Sequence, residues 1–143
     1  MSCEKDDNKN INFADTNFKN LLVSDFDLNE DLEISFDEAL HIKELNYGDC
    51  DFTSLQGIEY FTNLTYLNCN ASYLTELDVS KNKQLTYLNC MGNELTALDV
   101  SKNTVLDSLY CWANQNLTSL TLKAGQSISL LEKDDHTTIK YVN

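Results

Sequence analysis

The middle of the chain repeats itself every 21 residues, and this recurrence limits the available folds more than any other feature of the 143-residue sequence. Residues 64–84 read LTYLNCNASYLTELDVSKNKQ and residues 85–105 read LTYLNCMGNELTALDVSKNTV. Residues 106–126 follow as LDSLYCWANQNLTSLTLKAGQ, with one residue inserted after Asn114. A weaker copy, IKELNYGDCDFTSLQGIEYFTN, precedes them at 42–63. One such coil cannot bury its own apolar side, but stacked coils share a continuous core. The phase puts Leu64, Leu67, Cys69, Leu74, Leu77 and Val79 in one inward layer. Leu85, Leu88, Cys90, Leu95, Leu98 and Val100 make the next, then Leu106, Leu109, Cys111, Leu117, Leu120 and Leu122. Each buried Leu or Val contributes roughly 1.5–3 kcal/mol.

The pattern L-x-x-L-x-L-x-x-N/C-x-L, recurring at roughly 20–29 residues, is the signature of leucine-rich repeats. With Cys at the third apolar position and Asn at the ninth, residues 42–126 resemble that family. The resemblance implies a mainly β solenoid with a parallel sheet, a small helical N-terminal cap and a C-terminal β cap. Asn93 and Asn114 then lie inside the turn after each strand, where their amides satisfy backbone groups of neighbouring coils. Ser72 and Cys50 take that place in the earlier copies. The second half of each repeat alternates with period two and is too short and β-branched for a helix, so it reads as a second extended segment.

The phase also assigns the cysteines. Cys69, Cys90 and Cys111 form an inward column, each about one strand spacing, ~4.8 Å, from the next. Parallel side chains approach poorly for a disulfide, which needs converging Cβ vectors. They read as free thiols acting as small hydrophobes. The sequence has no CxxC pair, and His41 and His136 are not spaced like zinc ligands.

Both ends need covers. Upstream, FADTNFKNLLVSDF sets Phe18, Leu21, Leu22 and Phe26 on one helical face, with Asp15 as N-cap. Downstream, residues 127–143 alternate at Ile128 and Leu130, turn at Lys133–Asp135 and alternate again to Ile139 and Tyr141, which predicts a terminal hairpin. Between helix and repeats, residues 27–38 (DLNEDLEISFDE) resemble the twelve-residue EF-hand calcium loop. The resemblance assigns Asp27, Asn29, Asp31, the Glu33 carbonyl and Ser35 as ligands, with Glu38 bidentate. Leu32 departs from it, standing where the family has Gly at a left-handed turn, at a cost of roughly 1–2 kcal/mol. The loop is therefore either a weak calcium site or a structural cap that kept the shape. The segments are a disordered tether at 1–10, an EF-hand-like helical cap at 11–41, repeats at 42–126 and the hairpin cap at 127–143.

The start, MSCEKDDNKN, resembles the mature beginning of bacterial lipoproteins, in which the Cys carries the lipid. On that resemblance Cys3 is lipidated and Lys5-Asp6-Asp7 is an acidic tether. An EF-hand-like cap joined to Cys-bearing repeats likewise resembles surface proteins of Gram-negative gut anaerobes. The implied location is extracellular, or the outer-membrane surface through a lipid anchor. Met1 then stands where a removed hydrophobic leader ended.

Alternation along the L-x-x-L-x-C strands turns three columns outwards: Glu44, Tyr66, Tyr87, Ser108; Asn46, Asn68, Asn89, Tyr110; and Gly48, Asn70, Met91, Trp112. Tyr, Trp and Met are enriched in interface cores. Tyr66, Tyr87, Tyr110, Met91 and Trp112 are therefore the candidate binding face, unless Trp112 packs on the terminal hairpin and the tyrosines merely cover the sheet. With 23 acidic residues against 10 basic ones, all of them Lys, nucleic acid is excluded as a partner. No nucleophile elbow, zincin motif or phosphate loop occurs, so no enzyme is expected. The sequence predicts a monomeric, non-catalytic recognition module for a protein or glycan. The alternative is a calcium-stabilised structural or adhesin segment without its own ligand.

Overall fold

A computed structural model describes residues 10–143. Cys3 and most of the expected tether lie outside the described residues. Helix α1 (Thr16–Phe26) opens on Asp15, whose side chain accepts from Phe18 N, and its buried face carries Phe18 and Leu22. A one-turn helix α2 (Phe36–Ala39) overlaps the end of the 27–38 loop and opens on a capping box between Ser35 and Glu38. Asn10 bridges antiparallel to Ser35, and Ile11 N donates to the Ile34 carbonyl at 2.8 Å. The segment before α1 is thereby tied to the loop after it.

The remainder is a leucine-rich-repeat solenoid. Strands β1 (Glu44–Asn46), β2 (Tyr66–Asn68), β3 (Tyr87–Asn89), β4 (Ala97–Asp99), β5 (Ser108–Tyr110), β6 (Ser119–Lys123), β7 (Leu130–Glu132) and β8 (Thr138–Val142) form two sheets. One runs β1-β2-β3-β5-β7 and the other β4-β6-β8, with every pair parallel. Leu45, Leu67, Leu88, Leu109 and Leu131 stand in register along the first sheet. Every residue of the three inward layers assigned from the repeat phase is buried, whereas Cys50, placed inside the first turn by the same phase, is only half-buried. Helix α1 covers the first layer, where the Phe18 ring meets Tyr47 edge-on at 6.4 Å and Phe52 at 5.7 Å.

The C-terminal segment differs from the expected hairpin. β7 and β8 do not pair with each other: β7 joins β5 and β8 joins β6, both parallel. Residues 127–143 thus form one more solenoid coil. Alternation reveals which side a strand buries but not its partner, and Leu131 and Ile139 fit the columns of Leu109 and Leu120.

Two amide ladders join the coils. Asn93 Nδ2 donates to the Cys69 and Cys90 carbonyls at 2.9 and 3.0 Å, while its Oδ1 accepts from Leu74 N at 3.0 Å. Asn114 repeats this with Cys90, Cys111 and Leu95. A second ladder, not foreseen from the sequence, stands across the core. Asn82 donates to the Ile58 and Phe61 carbonyls, Asn103 to Val79 and Asn82, and Gln126 to Val100 and Asn103. The strand exits share another demand. Asp49, Ala71, Gly92 and Ala113 occupy equivalent turns at φ of 56°, 51°, 67° and 56°, and only the glycine adopts that region without steric cost.

Candidate functional site

The sheet register brings two of the three expected outward columns together. Glu44, Tyr66, Tyr87 and Ser108 are successive partners, as are Asn46, Asn68, Asn89 and Tyr110. The Tyr66 and Tyr87 rings stack at 4.3 Å and 7°, and Tyr87 tilts against Tyr110 at 5.6 Å and 45°. Burial, then the neighbouring Tyr66, push the Tyr87 hydroxyl above its ordinary range. Beside the tyrosines the Asn side chains are themselves ordered. Asn68 Nδ2 donates to Asn46 Oδ1 at 2.8 Å, and the Oδ1 atoms of Asn68 and Asn89 accept from the backbone two residues on.

Met91 is half-buried, whereas Trp112 keeps 40 % of its surface exposed. The terminal coil therefore leaves the indole open to solvent. That coil also lengthens the columns beyond the residues read from the sequence, adding Leu130 and Glu132. The signal for it was present: Ile128 and Leu131 keep the L-x-x-L spacing of the coils before them. A five-strand face with a tyrosine array, an open indole and ordered amides offers rigid amphipathic contacts and fixed hydrogen-bonding groups.

The calcium-like loop is arranged as follows. Leu32 is left-handed at φ 65°, as is Glu30 at 61°. Asp27 accepts from Asp31 N and Leu32 N, Asn29 from Asp31 N, and Asp31 from Glu33 N. Glu38 Oε1 accepts from Leu28 N at 2.8 Å, while Oε2 accepts from Ser35 N and Oγ, each at 2.8 Å. Burial raises the Glu38 carboxyl, but those bonds outweigh it and hold the group below its ordinary range. The donors are all oxygen, which suits calcium. They are turned on to the loop's own amides, however, and among the described residues no three His, Cys, Asp or Glu side chains gather as a metal-holding group.

The buried thiols are chemically quiet. Burial pushes Cys69 and Cys111 up to about 12 and Cys90 well above its ordinary value. His41 Nδ1 lies 2.9 Å from the Asp37 carbonyl and His136 Nε2 lies 3.3 Å from that of Asn114. A groove of about 630 Å³ opens beside the second sheet between Leu55, Ile58, Glu76, Asp78, Lys81 and Asp99. Asp78 and Asp99 each accept the amide of their own turn, from Ser80 and Ser101.

No protein-family model and no curated protein matches the sequence. Among solved structures it is similar to an internalin, InlF, from Listeria monocytogenes str. 4b F2365. That likeness has a TM-score of 0.63 and 27 % identity, and covers 76 % of this chain and 36 % of that one. The functional domain of InlJ from Listeria monocytogenes, which includes a cysteine ladder, overlaps 92 % of this chain and 42 % of its own at 27 % identity and a TM-score of 0.43. The chain thus spans about a third of the length of the InlF structure.

Proposed function

We propose that this chain is a non-catalytic, surface-displayed recognition module that binds a protein or glycan through the open face of the β1-β2-β3-β5-β7 sheet. The observation that carries the reading is the Tyr66–Tyr87–Tyr110 array, held by strand register beside the exposed Trp112. Tyr and Trp supply large contact areas at low entropic cost and dominate binding hot spots. The likeness to an internalin supports the same reading. Display at a bacterial surface, through a lipid on Cys3, belongs to this proposal. The test is a panel of purified extracellular proteins and immobilised glycans, probed with the wild type, Tyr87→Ser and Trp112→Ser. A ligand bound by the wild type and lost by both variants at unchanged melting temperature supports the face as the site. Binding indifferent to both variants overturns it.

A second reading, a calcium-stabilised structural or adhesin segment, is supported by the oxygen-only donor set of the 27–38 loop. Asp27, Asn29, Asp31, the Glu33 carbonyl, Ser35 and Glu38 would hold the ion, which would tie α1 to α2. Thermal melts in millimolar calcium and in chelator decide it. A higher melting temperature in calcium supports the ion, and identical curves remove it.

A further inference from the structure

The two most similar copies of the repeat, 64–84 and 85–105, agree at 14 of 21 positions, and four of their seven differences fall together, NASY at 70–73 against MGNE at 91–94. The third coil departs at the same place, where WANQN at 112–116 carries the inserted residue. Stacking holds the core positions uniform from coil to coil. The exit turns, their ladder residue excepted, fill no core layer and are free to specialise. The fold joins these divergent turns into one open cleft of about 540 Å³, lined by Ser72, Tyr73, Gly92, Glu94, Gln115 and Asn116. Small-molecule sites usually enclose roughly 300–1,000 Å³. Neither the tyrosine array nor Trp112 lines this cleft.

Its polar groups are uncommitted. Tyr73 is 56 % exposed, and Glu94, Gln115 and Asn116 are exposed as well. Among the described residues these four side chains bond to no protein group, whereas Asn68 and Asn89 on the open face are tied to their surroundings. On the first coil Ser72 is 4 % exposed, and its Oγ has no partner. Asn93 and Asn114, at the same ladder position, use both ends of their amides. A buried hydroxyl left without a bond in the wall of a cleft points to a ligand group that completes it. The lining suits a sugar ring. A tyrosine ring packs against its C–H face, a carboxylate accepts from its hydroxyls, and the Gln and Asn amides both donate and accept. No Lys or Arg lines the cleft, so phosphate and sulfate find no partner there. One carboxylate among neutral groups does not select a polycation.

We propose that this exit-turn cleft is a second binding site, for a short neutral oligosaccharide, with Tyr73 as its platform and Ser72, Glu94, Gln115 and Asn116 as its hydrogen-bonding groups. The Tyr66–Trp112 face takes no part, so this inference and the reading of that face stand or fall separately. The test is a titration of the 143-residue chain, followed by amide NMR shifts, with maltotetraose, cellotetraose, xylotetraose, mannotetraose and chitotetraose. Each is taken to about 10 mM, which registers millimolar and tighter binding. At least one sugar should shift the amides of residues 71–73, 92–94 and 113–116. Tyr73→Ala and Glu94→Gln should each weaken that sugar by about tenfold, and Trp112→Ser should leave it within about twofold. Affinity for an uncharged sugar should also hold constant between about 50 and 500 mM salt. Tyr73 and Glu94 are exposed, and circular dichroism checks that each variant folds. No shift with any of the five sugars, shifts centred on the Tyr66–Trp112 face instead, or an affinity indifferent to both cleft variants each overturns the proposal.

Discussion

Asn93→Ala isolates the contribution of one rung of an amide ladder. The side chain is 5 % exposed and bonds both coils: Leu74 N donates to Oδ1, while Nδ2 donates to the Cys69 and Cys90 carbonyls. After truncation the Leu74 amide and the Cys69 carbonyl lose these bonds in a buried setting, whereas the Cys90 carbonyl keeps Asn114. Two orphaned groups at about 1–3 kcal/mol each give a loss of about 2–6 kcal/mol, a large part of the 5–15 kcal/mol typical of a whole domain. Asn89→Ala is the control. Asn89 is also an amide on a repeat strand, and among the described residues its Oδ1 accepts from Met91 N alone, on the open face, where water can replace it, so the loss should stay within about 1 kcal/mol. Urea denaturation followed by circular dichroism, with m values compared, measures both. If Asn93→Ala costs no more than Asn89→Ala, the ladder does not hold the coils together and the reasoning fails.

Ala113→Gly and Leu32→Gly should each stabilise the chain by about 0.5 kcal/mol, because glycine relieves a left-handed φ and returns part of that gain as unfolded-state entropy; melts in chelator measure it. Burial raises the Asp15 carboxyl, but the bonds from Thr53 and Phe18 together outweigh it and hold the group below its ordinary range. With its folded pKa depressed, its contribution is complete above the unfolded value, near 4, and is lost as pH falls through the folded one. Asp15→Asn should therefore cost about 1 kcal/mol at pH 7 and progressively less towards pH 3, read by urea titrations at each pH. At pH 8 iodoacetamide should leave Cys69, Cys90 and Cys111 unmodified in the folded chain, since Cys69 and Cys111, near 12, hold about 1 in 10⁴ as thiolate and burial raises Cys90 well above its ordinary value; site-resolved mass spectrometry checks it.

The core was legible because period and phase fix the side of every residue: the inward leucines, the thiol column and the outward tyrosines all sit where the repeat puts them. Asn93 and Asn114 were readable for the same reason. Asn82 and Asn103 recur as regularly, yet they lie in a polar SKN stretch whose composition looks like a solvated turn. Only the stacking of coils shows that their amides reach carbonyls about one repeat away. The last coil was missed because Lys133 stands where earlier repeats have Cys, so the local alternation suggested a hairpin. Residue spacing also suggested the loop's carboxylates as ligands without revealing that the loop's own amides already occupy them.

Hydrogen–deuterium exchange on the complex with the tightest ligand from the panel tests the recognition face most directly. Protection should centre on residues 66–70, 87–91 and 108–112, the strands and exits that carry the tyrosines, Met91 and Trp112. Protection centred instead on the β4-β6-β8 sheet or on the 27–38 loop, with those three segments unchanged, would contradict it.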